Sequence, residues 1–432
     1  MNGITDRLTD AMGAAADTVR EEGLRPLAEP ERRERRWRWR HQFHQSTWAA
    51  PLAAAVAVVL VIGLAVSLTD GLFGTRRLVG TAPLPTAPHR FYVAVDLDTE
   101  QPVIRSTATG KVVKVVPVPS MVASGAVPPV LASAGFGMFF LAAFQKGVQG
   151  EQIYEFNLNL TTGQVQGFGR APGGWLPPGW AADALAVAPD MSTIAVGAYY
   201  TGPNNQMYVP NRSDQLVIIN MSTLKHTVWH GGSVLGDNHF RVASLSYSFA
   251  GLGTALAVLG EWCRGADWQP GGEGCPSAQR QAQLREVNPN GHGSVLDGRL
   301  LLAQSARTYL AQAVIGPGGE YITAMVLHGR VMSFPRVDGI FPQDLSVVRF
   351  AAATGRPLSV LYQRRLGDIA SVSSPMPDPL ALSADATGQN LILNGGICNR
   401  GCTNGFNGWL RAGRLVPLLP TGFHHREAAE AW

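Results

Sequence analysis

Alternating apolar and polar positions, interrupted by tight turns, recur along most of this 432-residue chain. Residues 185–200 read LAVAPDMSTIAVGAYY: an apolar run, a Pro-Asp turn and a second alternating run. Related stretches occupy 245–260, 312–327 and 380–395, with a looser copy at 131–144. A period of two predicts strands, and glycine, proline or aspartate between two such runs predicts a reversal. A second hairpin follows each of these, at 152–168, 215–229, 283–296, 345–361 and 408–419, and another lies at 103–116. Its turn is Thr-Gly or a near equivalent, because the reversal needs residues that reach positive φ.

The first-hairpin turns, near Gly135, Asp190, Gly251, Gly318 and Asp385, recur every 55 to 67 residues. Two hairpins per repeat make a four-stranded meander, which is one propeller blade, and six second hairpins predict an all-β propeller of about six blades. Such a ring leaves no long exposed sheet edge. An irregular pair of β-sandwiches is the competing arrangement, and the constant strand–turn–strand order at this period favours the propeller. Only one strand, at 90–98, precedes the first Thr-Gly hairpin. The missing strand of that blade therefore comes from the preceding linker, from the C-terminus, or not at all. The inserts 201–214 and 261–282 fall between the two hairpins of their blades, and are expected to cluster on one face and line a binding surface.

Ahead of the repeats the pattern changes. Trp48 to Leu68 is a run of 21 residues without a charge, and roughly 20 apolar residues span a bilayer. It predicts a transmembrane helix. Arg32, Arg33, Arg35, Arg36, Arg38 and Arg40 precede the run, while only Arg76 and Arg77 follow it closely. Basic residues are retained on the cytoplasmic side, so the N-terminus is expected inside and the repeats outside the cell membrane, in a single-pass topology. Arg35, Arg36, Arg38 and Arg40 are placed to pair with lipid phosphates, with Trp37, Trp39 and Trp48 at headgroup level. Further upstream, Ile4, Leu8, Met12 and Val19 share one face of a short amphipathic helix that Pro26 ends. Its polar face carries few basic residues, which favours a cytoplasmic protein partner, such as a sigma factor, over the membrane surface. The expected order is a cytoplasmic arm (1–47), the transmembrane helix (48–68), a linker (69–89), the propeller (90–420) and a polar tail (421–432).

Charge and candidate chemistry refine this outline. The net charge of +4 is small for the length, and with the juxtamembrane arginines set aside it implies no nucleic-acid partner. Lysine is confined to Lys111, Lys114, Lys146 and Lys225, while alanine, glycine, valine and proline abound, as in bacterial genomes of high GC content. Cys263, Cys275, Cys398 and Cys402 all follow the apolar run. Two sequence-local pairs in glycine-rich loops suggest the disulfides Cys263–Cys275 and Cys398–Cys402 in an oxidising compartment. The alternative of a metal or redox pair is disfavoured, since CNRGC has C-x3-C spacing. His226, His230 and His239, spaced by four and nine, are weak metal-ligand candidates, read here as polar strand-end residues. Asp96, Asp98 and Glu100 alternate as in some calcium loops but lack the glycine and distal glutamate. No G-x-S-x-G, H-E-x-x-H, phosphate-loop or G-x-G-x-x-G motif occurs in a fitting context, so no catalytic residue and no cofactor is expected.

The order of a short helix, an arginine-rich stretch, one membrane helix, then blades reading PD…LAV and V…D/N…TG resembles the membrane-anchored WD40-like or YVTN-like propeller proteins of high-GC bacteria. Some of these are encoded next to extracytoplasmic-function sigma factors. The Gly-His and Trp-Asp dipeptides of true WD40 repeats are absent as a set. The resemblance implies an extracytoplasmic, non-catalytic binding or sensing module that takes a protein or small ligand and signals to a cytoplasmic regulator. The alternative is a propeller enzyme, quinoprotein dehydrogenase-like or lactonase-like, with acidic, histidine or asparagine side chains converging at the channel mouth. Inner-strand residues near 185–190, 245–250, 312–317 and 380–385 are expected to line that channel and are mostly apolar or small.

Overall fold

The computed structural model describes residues 89–96, 99, 101–118, 129–145, 150–201, 214–231, 238–248, 255–264, 280–305, 308–334, 337–366, 380–385, 388–395, 406–411, 413–418 and 427–431. The chain divides into two compact units, Met1–Leu84 and Pro85–Trp432. The first lies outside the described residues, and with it the expected arm and transmembrane run. Among the described residues no helix is long and apolar enough to cross a membrane.

The second unit is a six-bladed β-propeller. Blade 1 contains β1 (Phe91–Asp96), β2 (Gln101–Ser106) and β3 (Val112–Val115). Blade 2 is β4 (Val130–Gly135), β5 (Met138–Phe144), β6 (Glu151–Leu158) and β7 (Val165–Trp175). Blade 3 is β8 (Trp180–Val187), β9 (Thr193–Tyr200), β10 (Gln215–Asn220) and β11 (His226–His230). Blade 4 starts with β12 (Asn238–Tyr247), β13 (Leu256–Arg264) and β14 (Arg280–Val287). After the short β15 (Gly293–Ser294) it ends with β16 (Arg299–Ala303). Blade 5 is β17 (Thr308–Ile315), β18 (Tyr321–Phe334), β19 (Val337–Ala351) and β20 (Pro357–Arg365). Blade 6 is β21 (Ala381–Ala384), β22 (Leu391–Gly395), β23 (Phe406–Arg411) and β24 (Arg414–Pro417). The last strand, β25 (Glu427–Ala431), pairs antiparallel with β1 and gives blade 1 the order β25-β1-β2-β3.

The inner strands neighbour one another in the cyclic order β25, β4, β8, β12, β17, β21, and β21 meets β25. The ring is closed by the C-terminal strand, which fills the gap left open by the sequence. Residues 427–431, expected in a polar tail, therefore belong to the propeller. An unpaired inner edge on β1 would leave a row of backbone donors and acceptors without partners, and β25 removes it.

The second-hairpin turns repeat one geometry. In blades 1, 2, 3 and 5 the amides of Gly110, Gly163, Leu224 and Gly355 donate to the carbonyls of Ser106, Asn159, Asn220 and Ala351, at 2.7 to 2.8 Å. All four residues have positive φ, 59° to 71°. Three are the glycines expected from Thr-Gly, and Leu224 takes the same left-handed conformation without that freedom.

Blade 4 departs from the expected hairpin at 283–296. The chain leaves β14, and β15 bridges in parallel to β11 of blade 3 before the return strand begins. A capping box holds the excursion: the Leu296 amide donates to Ser294 Oγ at 3.1 Å, and the Ser294 amide to Asp297 Oδ2 at 3.0 Å. The local hydrogen-bonding capacity of Ser294 and Asp297 thus outweighs continuation of the strand. Blade 5 also exceeds expectation, since β18 and β19 stay paired out to Phe334 and Val337.

The core lies between the blades. At the blade 3–4 junction Phe240 packs on Trp262 with the rings tilted and their centroids 5.1 Å apart, and Trp262 Nε1 donates to the Gly231 carbonyl at 2.9 Å. A Cβ on Gly231 would stand 2.1 Å from Phe240 Cγ, so only glycine admits that ring. Full burial of one such aromatic side chain contributes about 1.5–3 kcal/mol.

Candidate functional site

In an antiparallel meander the first-to-second and third-to-fourth strand turns share one face of the ring, and the other connections share the opposite face. The short turns at 135–137, 188–192, 221–225 and 352–356 lie on the first. The second, loop-bearing face takes both inserts anticipated from sequence, 201–214 and 261–282, and the extended β18–β19 hairpin. Residues 202–213 and 265–279 themselves lie outside the described residues.

At the turn face the central channel narrows to a cavity of about 150 Å³ lined by Leu185, Val187, Leu245, Val314, Leu382 and their neighbours. This matches the apolar, small lining expected. Ser133, Ser246, Tyr247 and Ser383 add hydroxyls to the lining, and Asp385 is occupied in its own turn, accepting from the Gln389 and Asn390 amides and from Asn390 Nδ2.

The loop-bearing end is different, and its chemistry begins with a repeated irregularity. Inner strands β8, β12 and β17 each carry a bulge at the same position, Asp183, Ala243 and Ala311. A bulge leaves one residue unpaired and disrupts the ladder locally, so nearby amides need other acceptors. The Ala182 amide donates to Glu151 Oε2 from blade 2, and the Val242 amide to Asp214 Oδ2 from blade 3, the latter at 3.2 Å. An acid at the entry of the third strand in one blade thus satisfies the bulge of the next.

Burial governs these acids. Glu151 is fully buried, and its carboxyl pKa is pushed up to about 8 by desolvation, against which the Ala182 amide acts. Asp214 is likewise held well above the usual carboxylate range, by burial first and then by the nearby Asp183. An acid kept neutral in this way avoids much of the cost of a buried charge.

Between them lies a half-exposed ion pair. Arg241 grips Asp183 with a two-pronged contact, Nε to Oδ2 at 2.7 Å and Nη2 to Oδ1 at 3.2 Å. Their side chains are 56% and 28% exposed, so the pair faces solvent at the rim of the channel. Glu261 stands opposite Arg241 in the β12–β13 register and accepts the Tyr309 hydroxyl of blade 5. The Tyr199 hydroxyl has its pKa raised by burial and by Asp183, Glu151 and Asp214. The result is a polar belt from blade 2 to blade 5 with four carboxyl groups and one guanidinium. The Arg241 fork is held by Asp183 and three of the carboxyl groups are buried, so what reaches solvent is the Asp183–Arg241 pair, a charged and geometrically fixed group beside which a polar ligand can be oriented.

The residues singled out from sequence are placed elsewhere. His226 lies on the outer strand β11, where Nε2 is 3.0 Å from the Gly173 carbonyl and the ring packs on Trp175. His230 is exposed four residues along, about 13 Å at strand spacing. His239 is on β12, opposite Cys263 on β13. The side chains of His239 and Cys263 lie outside the described residues, as do Cys275, Cys398 and Cys402. Among the described residues no three His, Cys, Asp or Glu side chains form a metal-holding group. The anchoring residues Arg35, Arg36, Trp37, Arg38, Trp39, Arg40 and Trp48 and the helix residues Ile4, Leu8, Met12 and Val19 are outside the description too. Sequence reasoning passed over Glu151, Asp183, Asp214, Arg241 and Glu261. The available signal was Asp183, a lone acid inside the otherwise apolar WAADALAV.

No protein family and no curated protein matches the chain. Its likeness is to solved structures of low identity. A Dos1 propeller shares 10% identity over 76% of this chain and 77% of that one, with a TM-score of 0.37. Hydrazine synthase of Kuenenia stuttgartiensis shares 13% over 74% and 79%, with a TM-score of 0.36. A prolyl endopeptidase shares 14%, with a TM-score of 0.33, over 66% of this chain. The chain spans only 41% of that peptidase's length. The six-bladed assignment rests on the strand order and ring closure described above.

Proposed function

We propose that the protein is a membrane-anchored binding module whose propeller recognises a protein or small polar ligand with its loop-bearing face, centred on Asp183, Arg241 and Glu261. The observation that carries this is the division between the two faces. Long connections and the solvent-facing ion pair share one end of the channel, while the other end has tight turns and a small cavity whose one carboxylate, Asp385, is engaged in its own turn. Charged side chains fixed on the strands of a rigid ring, with loops around them, are a usual means of specific recognition. The run 48–68 anchors the module with the repeats outside the cytoplasm, the two cysteine pairs staple its loops, and the amphipathic arm passes occupancy to a cytoplasmic regulator.

The test uses a photoreactive amino acid introduced in the full-length protein in membranes, at Tyr200 on the loop-bearing face or at Thr162 on the turn face. Adducts from position 200 alone, lost in Arg241→Ala, support the assignment. Adducts from position 162 alone, or equally from both, refute it. Topology is tested separately, since resistance of residues 69–432 to protease added to intact cells, with any outer barrier opened, overturns the orientation. Comparing recovered regulators with and without residues 1–30 tests the arm.

A further inference from the structure

The excursion in blade 4 has a structural cost on the outer side of the ring. Because the chain first bridges to blade 3, β16 has five residues and pairs with only Gln283–Glu286 of β14. The neighbouring β20 of blade 5 has nine. The loop-side end of β14 is therefore left without a full fourth-strand partner, apart from the Gln304 amide donating to the Ala282 carbonyl at 2.9 Å. A cleft of about 720 Å³ lies between this short β16 and the facing strands of blade 5. This is within the range of about 300–1,000 Å³ typical of small-molecule sites.

The lining is graded along the strands. Towards the turn face it is mainly apolar: Leu302, Val348, Phe350 and Val360, with Leu310 lying in the Val326–Ser346 row nearer the loop-bearing face. Towards the loop-bearing face it presents His328, Ser346 and Gln363, whose side chains have no hydrogen-bond partner among the described residues. The register orders these groups, with Ser346 between Val326 and Gln363, and the Val348–Val360 and Phe350–Pro357 pairs following. From Ser346 to Phe350 is four residues, about 13 Å of apolar surface below the polar end. The floor is closed, because Leu310, Val326 and Ser346 are buried. Asp344 and Arg365 stand in register beyond His328 with opposite charges, so the polar end favours neither an anion nor a cation.

We infer that this cleft is a binding site for a small neutral amphiphile, with its apolar chain against Val348 and Phe350 and a hydroxyl head hydrogen-bonded among His328, Ser346 and Gln363. It is distinct from the polar belt at the channel mouth and does not depend on the function proposed for that belt. Each added methylene on such a chain raises affinity about fourfold while it is still being buried. The gain stops when the apolar span is filled.

The test uses the full-length protein in lipid nanodiscs and a photoreactive diazirine analogue of octanol, with labelled residues mapped by peptide mass spectrometry. Mapping separates the site from partition into lipid. Saturable labelling confined to the 299–310, 326–328 and 345–363 segments is expected, with pentanol, hexanol, heptanol and octanol competing about fourfold better at each step. Val360→Trp, on the exposed rim, fills the cleft and is expected to lower labelling about tenfold. Gln363→Leu, also exposed, is expected to weaken competition by the alcohols several-fold while leaving their chain-length steps unchanged. Diffuse or non-saturable labelling, or labelling in folded Val360→Trp equal to wild type, overturns the inference. If Val360→Trp does not fold, the Gln363→Leu result decides, and unchanged competition there overturns it.

Discussion

Glu151→Gln isolates the energetic consequence of burying an acid behind the bulge of β8. The carboxyl titrates at 4.5 ordinarily and at about 8 in the fold. Between those values the unfolded chain has released the proton and the native state still holds it, so stability falls as pH rises. The gap of 3.5, at about 1.4 kcal/mol for each pH step, sets a penalty near 5 kcal/mol above pH 8, and near 3.5 kcal/mol at pH 7. Local relaxation makes these upper values. Glutamine keeps an oxygen to accept the Ala182 amide and carries no charge at any pH. Urea denaturation of wild type and Glu151→Gln, followed by tryptophan fluorescence from pH 5 to 8, reads the difference directly. The two proteins are expected to differ by under about 1 kcal/mol at pH 5, with the variant more stable by several kcal/mol at pH 8. Taking the difference removes the parallel contribution of Asp214, which has the same sign. A difference that stays constant across this range refutes the reasoning.

Three further outcomes follow from the packing. Leu224→Gly is expected to raise stability by roughly 0.5–1 kcal/mol, because a left-handed residue is relieved at an exposed turn; an unchanged or lower urea midpoint contradicts this. Gly231→Ala is expected to cost roughly 1–3 kcal/mol by forcing Phe240 off Trp262, with a shift in tryptophan emission as the independent readout. Removing residues 427–431 exposes the inner edge of β1, and size-exclusion chromatography is expected to show aggregates in place of the wild-type species; an unchanged profile argues against ring closure by β25.

The blade pattern was legible because it is local. Alternation and turn chemistry mark both hairpins of blade 3, and the strands fall at Trp180–Tyr200 and Gln215–His230 as the residues suggest. What escaped depends on partners distant in sequence. The closing strand Glu427–Ala431 reads as a polar tail because β1, its partner, lies more than three hundred residues earlier. The detour at Gly293–Ser294 needs β11 of the neighbouring blade to explain it. The candidate site was less legible still. Glu151 and Arg241 are ordinary charged residues until the ring sets one against the bulge amide at Ala182 and the other against Asp183. The histidines stood out by spacing alone, and the sheet register separates that spacing across β11 and β12.

The blades are joined by two chemistries, and the difference has a consequence. At the 2–3 and 3–4 junctions the bulge amides are accepted by titratable acids, Glu151 and Asp214. At the 4–5 junction Glu261 meets the Tyr309 hydroxyl at the loop-bearing end, and beyond it serines face across. Ser244 Oγ donates to the Ala313 carbonyl at 3.1 Å, Ser248 Oγ donates to the Gly316 carbonyl at 3.0 Å, and Ser246 Oγ accepts from the Ile315 amide at 3.1 Å. Hydroxyls do not ionise in the range where the buried acids do. A rise in pH therefore strains the bulge amides at the two junctions that border the Asp183–Arg241 rim and leaves the serine contacts of the 4–5 junction as they were. Hydrogen exchange corrected for intrinsic rates tests this residue by residue. Protection at Ala182 and Val242 is expected to fall from pH 6 to 9 while protection at Ile315 holds. Equal loss at all three amides would mean that the ring responds to pH as one unit, and that the acids do not act locally at the mouth.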